Sequence, residues 1–152
     1  MRKLAAGECD ATLLWDTRLR RIGEAGAITS ILSIEEMLPA VSQGAIGIEC
    51  RADDLRTRGL LVPLHHAEGE SCIAAERSLL AALGDSRRTP IAGLDQLNGE
   101  ALSLRALVTS PDGACHHRAN RQGLIDEAAA LGSDSGPELR AAAGSNFFIA
   151  AV

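Results

Sequence analysis

The chain has 152 residues, is 46% hydrophobic and 23% charged, and carries a formal net charge of −5. That length holds one domain, or one domain plus pieces of another, and the apolar fraction excludes a disordered chain. The acidic balance speaks against a nucleic-acid binder, which needs a basic face, and the apolar runs are far too short to span a membrane.

Only Trp15, Phe147 and Phe148 are aromatic, so the core must rest on Leu, Ile, Val and Ala. Lys3 is the sole lysine and every other basic side chain is arginine. The fixed guanidinium fork suits carboxylates and phosphates; a GC-rich genome gives the same excess with no site at all. Cys9, Cys50, Cys72 and Cys115 are widely spaced and form no C-x-x-C pair. No signal-peptide pattern opens the chain, and the sequence predicts a cytoplasmic protein with reduced thiols.

In chain order, Cys9–Leu14 reads as a short strand and Trp15–Ile22 as a short helix bearing Arg18, Arg20 and Arg21, closed by Gly23 and Gly26. A loop follows to Pro39, which biases Leu38 toward extended backbone. Ala45–Arg51 is rich in β-branched residues and reads as a strand, with Gly44 and Gly47 marking a bulge or close approach. Asp53-Asp54 can cap a helix running to about Leu61, stopped by Pro63.

Ala67–Leu83 is the clearest helix, with Ile73, Leu79, Leu80 and Leu83 on one stripe and Glu70, Glu76 and Arg77 on its flanks. Gly84-Asp85-Ser86 ends it, and a loop leads to a strand at Ile91–Leu94. Ala101–Ser110 alternates, placing Leu102, Leu104, Ala106 and Val108 on one face. Pro111-Asp112-Gly113 is a turn signal, so Ala114–Arg121 completes a hairpin. Two helices are predicted at about Leu124–Leu131 and Gly136–Ala143, with Phe147-Phe148-Ile149 docking on the core. This order gives an α/β chain, or an α+β C-terminal domain: a small antiparallel sheet packed against helices. The two early strands have no obvious partners, which predicts exposed apolar surface over residues 1–62.

Two histidine groups, His65-His66 and Cys115-His116-His117, supply metal-type donors. Adjacent histidines on a strand face opposite ways, so no ligand spacing is satisfied and no metal is expected. Arg87-Arg88 could attract an anion, but they follow a helix C-terminus, where the dipole favours the arginines and not the anion.

Several motifs carry a resemblance. Arg2-Lys3-Leu4, Gly7-Glu8 and Asp10-Ala11 are followed by Leu19-x-Arg21 and the run Leu38-Pro39-Ala40-Val41-x-Gln43-Gly44-Ala45-Ile46-Gly47-Ile48-Glu49-Cys50-Arg51. Then come His66-x-Glu68, Ala75-Glu76-Arg77, Arg88-Thr89-Pro90-Ile91-Ala92-Gly93 and Leu107-Val108-x-Ser110-Pro111-Asp112-Gly113. In order and spacing this resembles the C-terminal half of porphobilinogen deaminase (hydroxymethylbilane synthase).

The resemblance implies an enzyme of tetrapyrrole (porphyrin and heme) biosynthesis, a transferase that joins porphobilinogen units head to tail and releases ammonia. It implies a dipyrromethane primer on a cysteine thioether. It maps residues 1–44 to the tail of the family's second domain plus a hinge, 45–64 to a returning segment of the first, and 65–152 to the third, cofactor-attachment domain. A truncated C-terminal portion, inactive alone, is the expectation. The alternative is a non-catalytic binding module, and an N-terminal half is a possible partner.

No catalytic residue carries over, because the family's aspartate belongs to a segment with no counterpart here. Arg21 matches a substrate-clamping arginine, or is a solvated helix charge. Gln43, Gly44 and Ala45 match a stretch lining the substrate cleft, or are a hinge turn. Arg87 stands where the family's cofactor cysteine stands, and a guanidinium is no substitute for a thiolate nucleophile. Ser42 replaces a glycine ahead of Gln43-Gly44, where glycine marks a special backbone angle.

Overall fold

The computed structural model describes residues 2–84, 90–144 and 147. The expectations placed on Arg87, Arg88, Phe148 and Ile149 lie outside the described residues. The chain divides into two compact units, Met1–Met37 and Leu38–Val152.

The first unit contains α1 (Arg2–Ala5), α2 (Asp16–Arg21) and a 3-10 turn at Ala25–Ala27. Helix α2 forms where predicted, braced by an Arg20–Asp16 bridge of 2.8 Å one turn apart, with Leu19 buried. Gly23 closes it at a φ of +79°. The strand expected at Cys9–Leu14 is absent: the segment is irregular and exposed. An extended segment becomes a strand only when a neighbour takes its amides and carbonyls, and no ladder involves these residues.

The second unit opens with a turn around Val41–Gly44 and continues through α3 (Leu55–Leu61), a 3-10 turn at Val62–Leu64 and α4 (Ala67–Ala82). The strand expected at Ala45–Arg51 is also absent, for the same want of a partner. Asp54 caps α3 as the sequence indicates, accepting from the Thr57 amide at 3.0 Å, and its carboxyl is held below the usual range by the Thr57 amide first and its hydroxyl second. His66 caps α4 through Nδ1, which accepts from the Gly69 amide at 2.9 Å.

Strands β1 (Ile91–Asn98), β2 (Ala101–Thr109) and β3 (His116–Leu124) form an antiparallel sheet in order β1-β2-β3. β1 runs longer than the sequence reading because Asn98 and Ala101 pair across Gly99-Glu100, with Gly99 at a φ of +65°. In β2 the alternation is realised: Leu102, Leu104, Ala106 and Val108 are all buried. Leu79, Leu83 and Leu139 from the helices pack on Ala106, Val108 and Ala119, and Phe147 joins this cluster with its ring edge-on to His117. Each fully buried leucine contributes about 2 kcal/mol.

The two helices expected near the end are one, α5 (Ala128–Ala143), preceded by a 3-10 turn at Ile125–Glu127, with Leu124 ending β3. Gly136 and Pro137 are poor helix formers, yet the helix runs through them because its small residues face α4. An added Cβ on Gly132 would lie 2.1 Å from the Ala75 carbonyl oxygen, and one on Gly136 would lie 2.4 Å from Ala82 Cβ. Helix contact of that closeness outweighs local propensity. Arg121 of β3 then grips Asp134 and Glu138 of α5 with its guanidinium.

Large apolar side chains stand exposed along residues 13–64, among them Leu13, Trp15, Ile31, Ile46, Leu55 and Val62; Leu124 is exposed outside that stretch. No described helix is long and apolar enough to cross a membrane.

One substitution at two glycines tests the packing account. Gly132→Ala meets backbone and is expected to destabilise the unit by about 2 kcal/mol. Gly59→Ala in α3 meets nothing within 4 Å and is expected to stabilise by about 1 kcal/mol. Urea midpoints of the two variants should move in opposite directions.

Candidate functional site

The turn that links the chain to the sheet is built from backbone. The Gly93 amide donates to the Pro39 carbonyl at 3.1 Å, and Ala40 bridges Ala92 in antiparallel fashion. Val41 Cγ2 lies 3.2 Å from the place a Cβ on Gly93 would occupy, so a side chain at 93 would press on the turn. The Ser42 amide donates to Glu76 Oε2 of α4 at 2.6 Å. Gln43 and Ala45 amides close the turn onto the Ala40 and Ser42 carbonyls at 3.1 and 3.3 Å.

Ser42 occupies left-handed backbone at a φ of +59°, as does Gly44 at +90°. The departure from glycine at Ser42 therefore falls on a position that favours glycine. Its hydroxyl is buried with no hydrogen-bond partner among the described residues.

Beyond the turn lies an open cavity of about 940 Å³, lined by Gly44 and Ala45 together with Ile46, Ile48, His66 and Arg77. The structure thus brings Gly44 and Ala45 to one wall, while Gln43 is exposed on the turn between Ser42 and Gly44. Arg21 is exposed on the last turn of α2 in the first unit. Arg87 lies outside the described residues. His65 Nε2 meets Glu70 at 3.2 Å, so both residues of the His65-His66 pair are engaged locally. Among the described residues no three His, Cys, Asp or Glu side chains converge as metal ligands would.

The sequence reading placed Glu76 on the flank of α4; the structure corrects this. Glu76 is 5% exposed and lies in phase with Cys72, Ala75, Leu79 and Leu83, the stripe that α4 turns inward. Its second oxygen, Oε1, accepts from the Asp95 amide at 3.0 Å. Asp95, on the inward face of β1, is 6% exposed, and neither carboxyl oxygen has a hydrogen-bond partner among the described residues. Burial, and then the charge of Glu76, push its carboxyl up to about 7. The signal for this pair was periodicity alone: Glu76 is three before Leu79, and Asp95 sits between Gly93 and Leu97 on one face of a strand.

The cysteines differ in their surroundings. Cys9, Cys50 and Cys115 are exposed, whereas Cys72 is partly covered and packs on the cluster of Ala75, Leu102 and Ala128. Burial first, and then the charges of Asp95, Glu76 and Glu68, push its thiol above the usual range, which keeps it from being a ready nucleophile.

Ser42→Gly is expected to stabilise the protein by about 1 kcal/mol, by relieving a left-handed side-chain-bearing residue and removing a buried unpartnered hydroxyl. The denaturant midpoint should rise with an unchanged slope.

Comparison with known proteins follows the same lines. The family model described as porphobilinogen deaminase, dipyromethane cofactor binding domain, matches residues 1–59. The model described as porphobilinogen deaminase, C-terminal domain, matches residues 71–141. The porphobilinogen deaminase of Nitrobacter hamburgensis is 47% identical over 148 residues, 97% of this chain and 47% of that protein. That of Nitrobacter winogradskyi is 46% identical over 148 residues, again 97% of this chain and 47% of the relative. The chain spans about half the length of the curated relatives it matches.

Proposed function

The chain belongs to the porphobilinogen deaminase family, and on that basis we propose that it supplies the C-terminal part of a hydroxymethylbilane synthase whose 152 residues do not carry out the reaction alone. The observation that carries the reading is the ordered identity of 47% across 97% of the chain, against 47% of the relative. In each condensation, the bond from the substrate's aminomethyl carbon to nitrogen breaks and ammonia leaves. The resulting azafulvene cation is attacked by the free α-carbon of the next pyrrole, which then loses its proton.

An acidic group must assist that departure, arginines must hold the acetate and propionate side chains, and a thiolate must hold the primer. In the proposed arrangement Arg21 clamps a substrate carboxylate, and Gln43, Gly44 and Ala45 form cleft wall, for which the position of Gly44 and Ala45 on the cavity is supporting geometry. The domain limits are those of the family, 1–44, 45–64 and 65–152, and the unmatched interval between residues 59 and 71 supports a boundary near residue 65. The exposed apolar side chains of residues 13–64 fit a surface that an N-terminal half would cover.

The chain's own residues do not fit a covalently held dipyrromethane. By the resemblance Arg87 stands at the attachment position, and the neighbouring α4 offers only Cys72, whose thiol is pushed up. A non-catalytic module that keeps the third-domain fold is the second reading, and Arg87 is the observation that favours it.

The purified chain should leave porphobilinogen unconsumed, give no colour with Ehrlich's reagent, and show no mass increase after incubation with porphobilinogen and hydroxymethylbilane. Turnover, or an adduct of dipyrromethane mass, would overturn the reading. Mixed with the N-terminal half of the Nitrobacter hamburgensis protein, Arg87→Cys should consume porphobilinogen and the unaltered chain should not. Heat on titrating porphobilinogen into the chain alone, without turnover in either mixture, would select the binding module.

A further inference from the structure

We propose that Asp95, buried beside Glu76, keeps a proton in the folded chain and so makes the seating of the Pro39–Gly44 turn depend on pH. The turn is clamped to α4 while Asp95 keeps its proton, and it loosens when that proton leaves. The inference rests on the arrangement of four groups and does not depend on the reaction assigned above.

Glu76 is the clamp. Its Oε2 accepts from the Ser42 amide at 2.6 Å and its Oε1 from the Asp95 amide at 3.0 Å, so one buried carboxylate ties the turn, α4 and β1 together. Both of its oxygens are satisfied by those two amides. The side chain of Asp95 starts from the residue whose amide completes that clamp, and it is as buried as Glu76, with no well-aligned hydrogen bond to either oxygen among the described residues. A second bare carboxylate at that place is buried, unpartnered and beside a like charge, the costliest combination for an acid. A proton on Asp95 removes the conflict.

The surroundings supply little relief. From α4 the titratable groups are Glu76 and Cys72, both acidic, with Cys72 close enough for Asp95 to push its thiol up. From β2 the residue opposite is Leu104, and the Ser103 and Gln96 amides pull the Asp95 carboxyl down less strongly than burial and Glu76 push it up. Beyond Leu104, β3 places Arg121 on the same face, where Asp134 and Glu138 of α5 hold it. His117, further along β3 opposite Val108, packs on Phe147. The turn itself brings Val41 and Ser42, which carry no charge.

The sign follows from linkage. The Asp95 carboxyl titrates near 3.8 when free and at about 7 in the folded chain. Across that window the folded form holds a proton that the unfolded form has lost, so stability falls as pH rises from about 4 to about 7 and then levels off. Above 7 the repulsion falls on Glu76, which can move away only by releasing the Ser42 or the Asp95 amide. The Gly93–Pro39 hydrogen bond remains, so the turn loosens at its Ser42 end, on the wall that Gly44 and Ala45 give to the cavity.

Carboxyl carbon NMR of the aspartate-labelled chain, with Asp95→Asn assigning the resonance, tests the retained proton directly; a midpoint near 7 is expected. Amide exchange at Ser42, compared between wild type and D95N at each pH, tests the clamp. Wild-type protection relative to D95N should drop about tenfold between pH 6 and pH 8, while the melting temperature of D95N minus that of wild type widens by about 5 °C. An Asp95 midpoint near 4 overturns the proposal. A high midpoint with equal Ser42 protection in both proteins overturns the coupling to the turn. Should D95N fold poorly, through-bond correlation of the Asp95 carboxyl to its own backbone amide assigns the resonance in the wild-type chain, and the midpoint is read from wild type alone.

Discussion

The closeness of α4 and α5 is the constraint on which the C-terminal unit depends. Gly132 and Gly136 allow α5 to lie against the backbone of α4 between Ala75 and Ala82. That approach places Leu79, Leu83 and Leu139 together over β2 and β3. It also fixes the rotation of α4, and the rotation decides which residues point at the sheet. Glu76 points inward because Ala75, Leu79 and Leu83 do, and the turn at Val41–Gly44 is clamped because Glu76 is there to receive its amide. A contact between two helices thus sets the position of a loop on the other side of the sheet's edge strand.

The same chain of dependence explains why polar burial is concentrated at one place. Glu76, Asp95 and Ser135 are the buried polar or charged residues among those described. Ser135 satisfies itself by donating to the Leu131 carbonyl at 2.8 Å, and Glu76 is satisfied by two amides. Among the described residues Asp95 alone has a buried carboxyl without a hydrogen-bond partner, and Ser42, which shares Glu76 with it, has an equally bare hydroxyl. Strained backbone, an unpartnered hydroxyl and an unpartnered acid meet where the turn joins the unit, and nowhere in the helix pair.

What could be read from the sequence follows from how local each signal is. The alternation in 101–110, the cap at Asp54 and the long helix from Ala67 were legible because each depends on neighbours in the chain. The segments 9–14 and 45–51 have the composition of strands, but a strand is a relation between two segments and no described residue pairs with them in a ladder. The break expected between Leu131 and Gly136 does not occur: Gly132, which weakens a helix in isolation, is one of the residues that let this helix reach α4. The motif around Gln43 pointed to the turn that carries Gly44 and Ala45, and the missing glycine to the left-handed Ser42. The Glu76–Asp95 pair was not, because nineteen residues and a loop separate its members and only the helix packing brings them together.

The sheet order has a kinetic meaning. Every ladder joins strands consecutive in the chain, across Gly99-Glu100 and across the turn after Thr109. The loops that must close are short, and the entropy lost in closing them is small. The sheet is therefore a low-contact-order structure that forms early and quickly. The pairing of α4 with α5 spans the whole sheet in sequence, so loop-closure entropy leads to the expectation that it closes after the meander. A weakened helix contact then shortens the life of the folded unit more than it delays its formation.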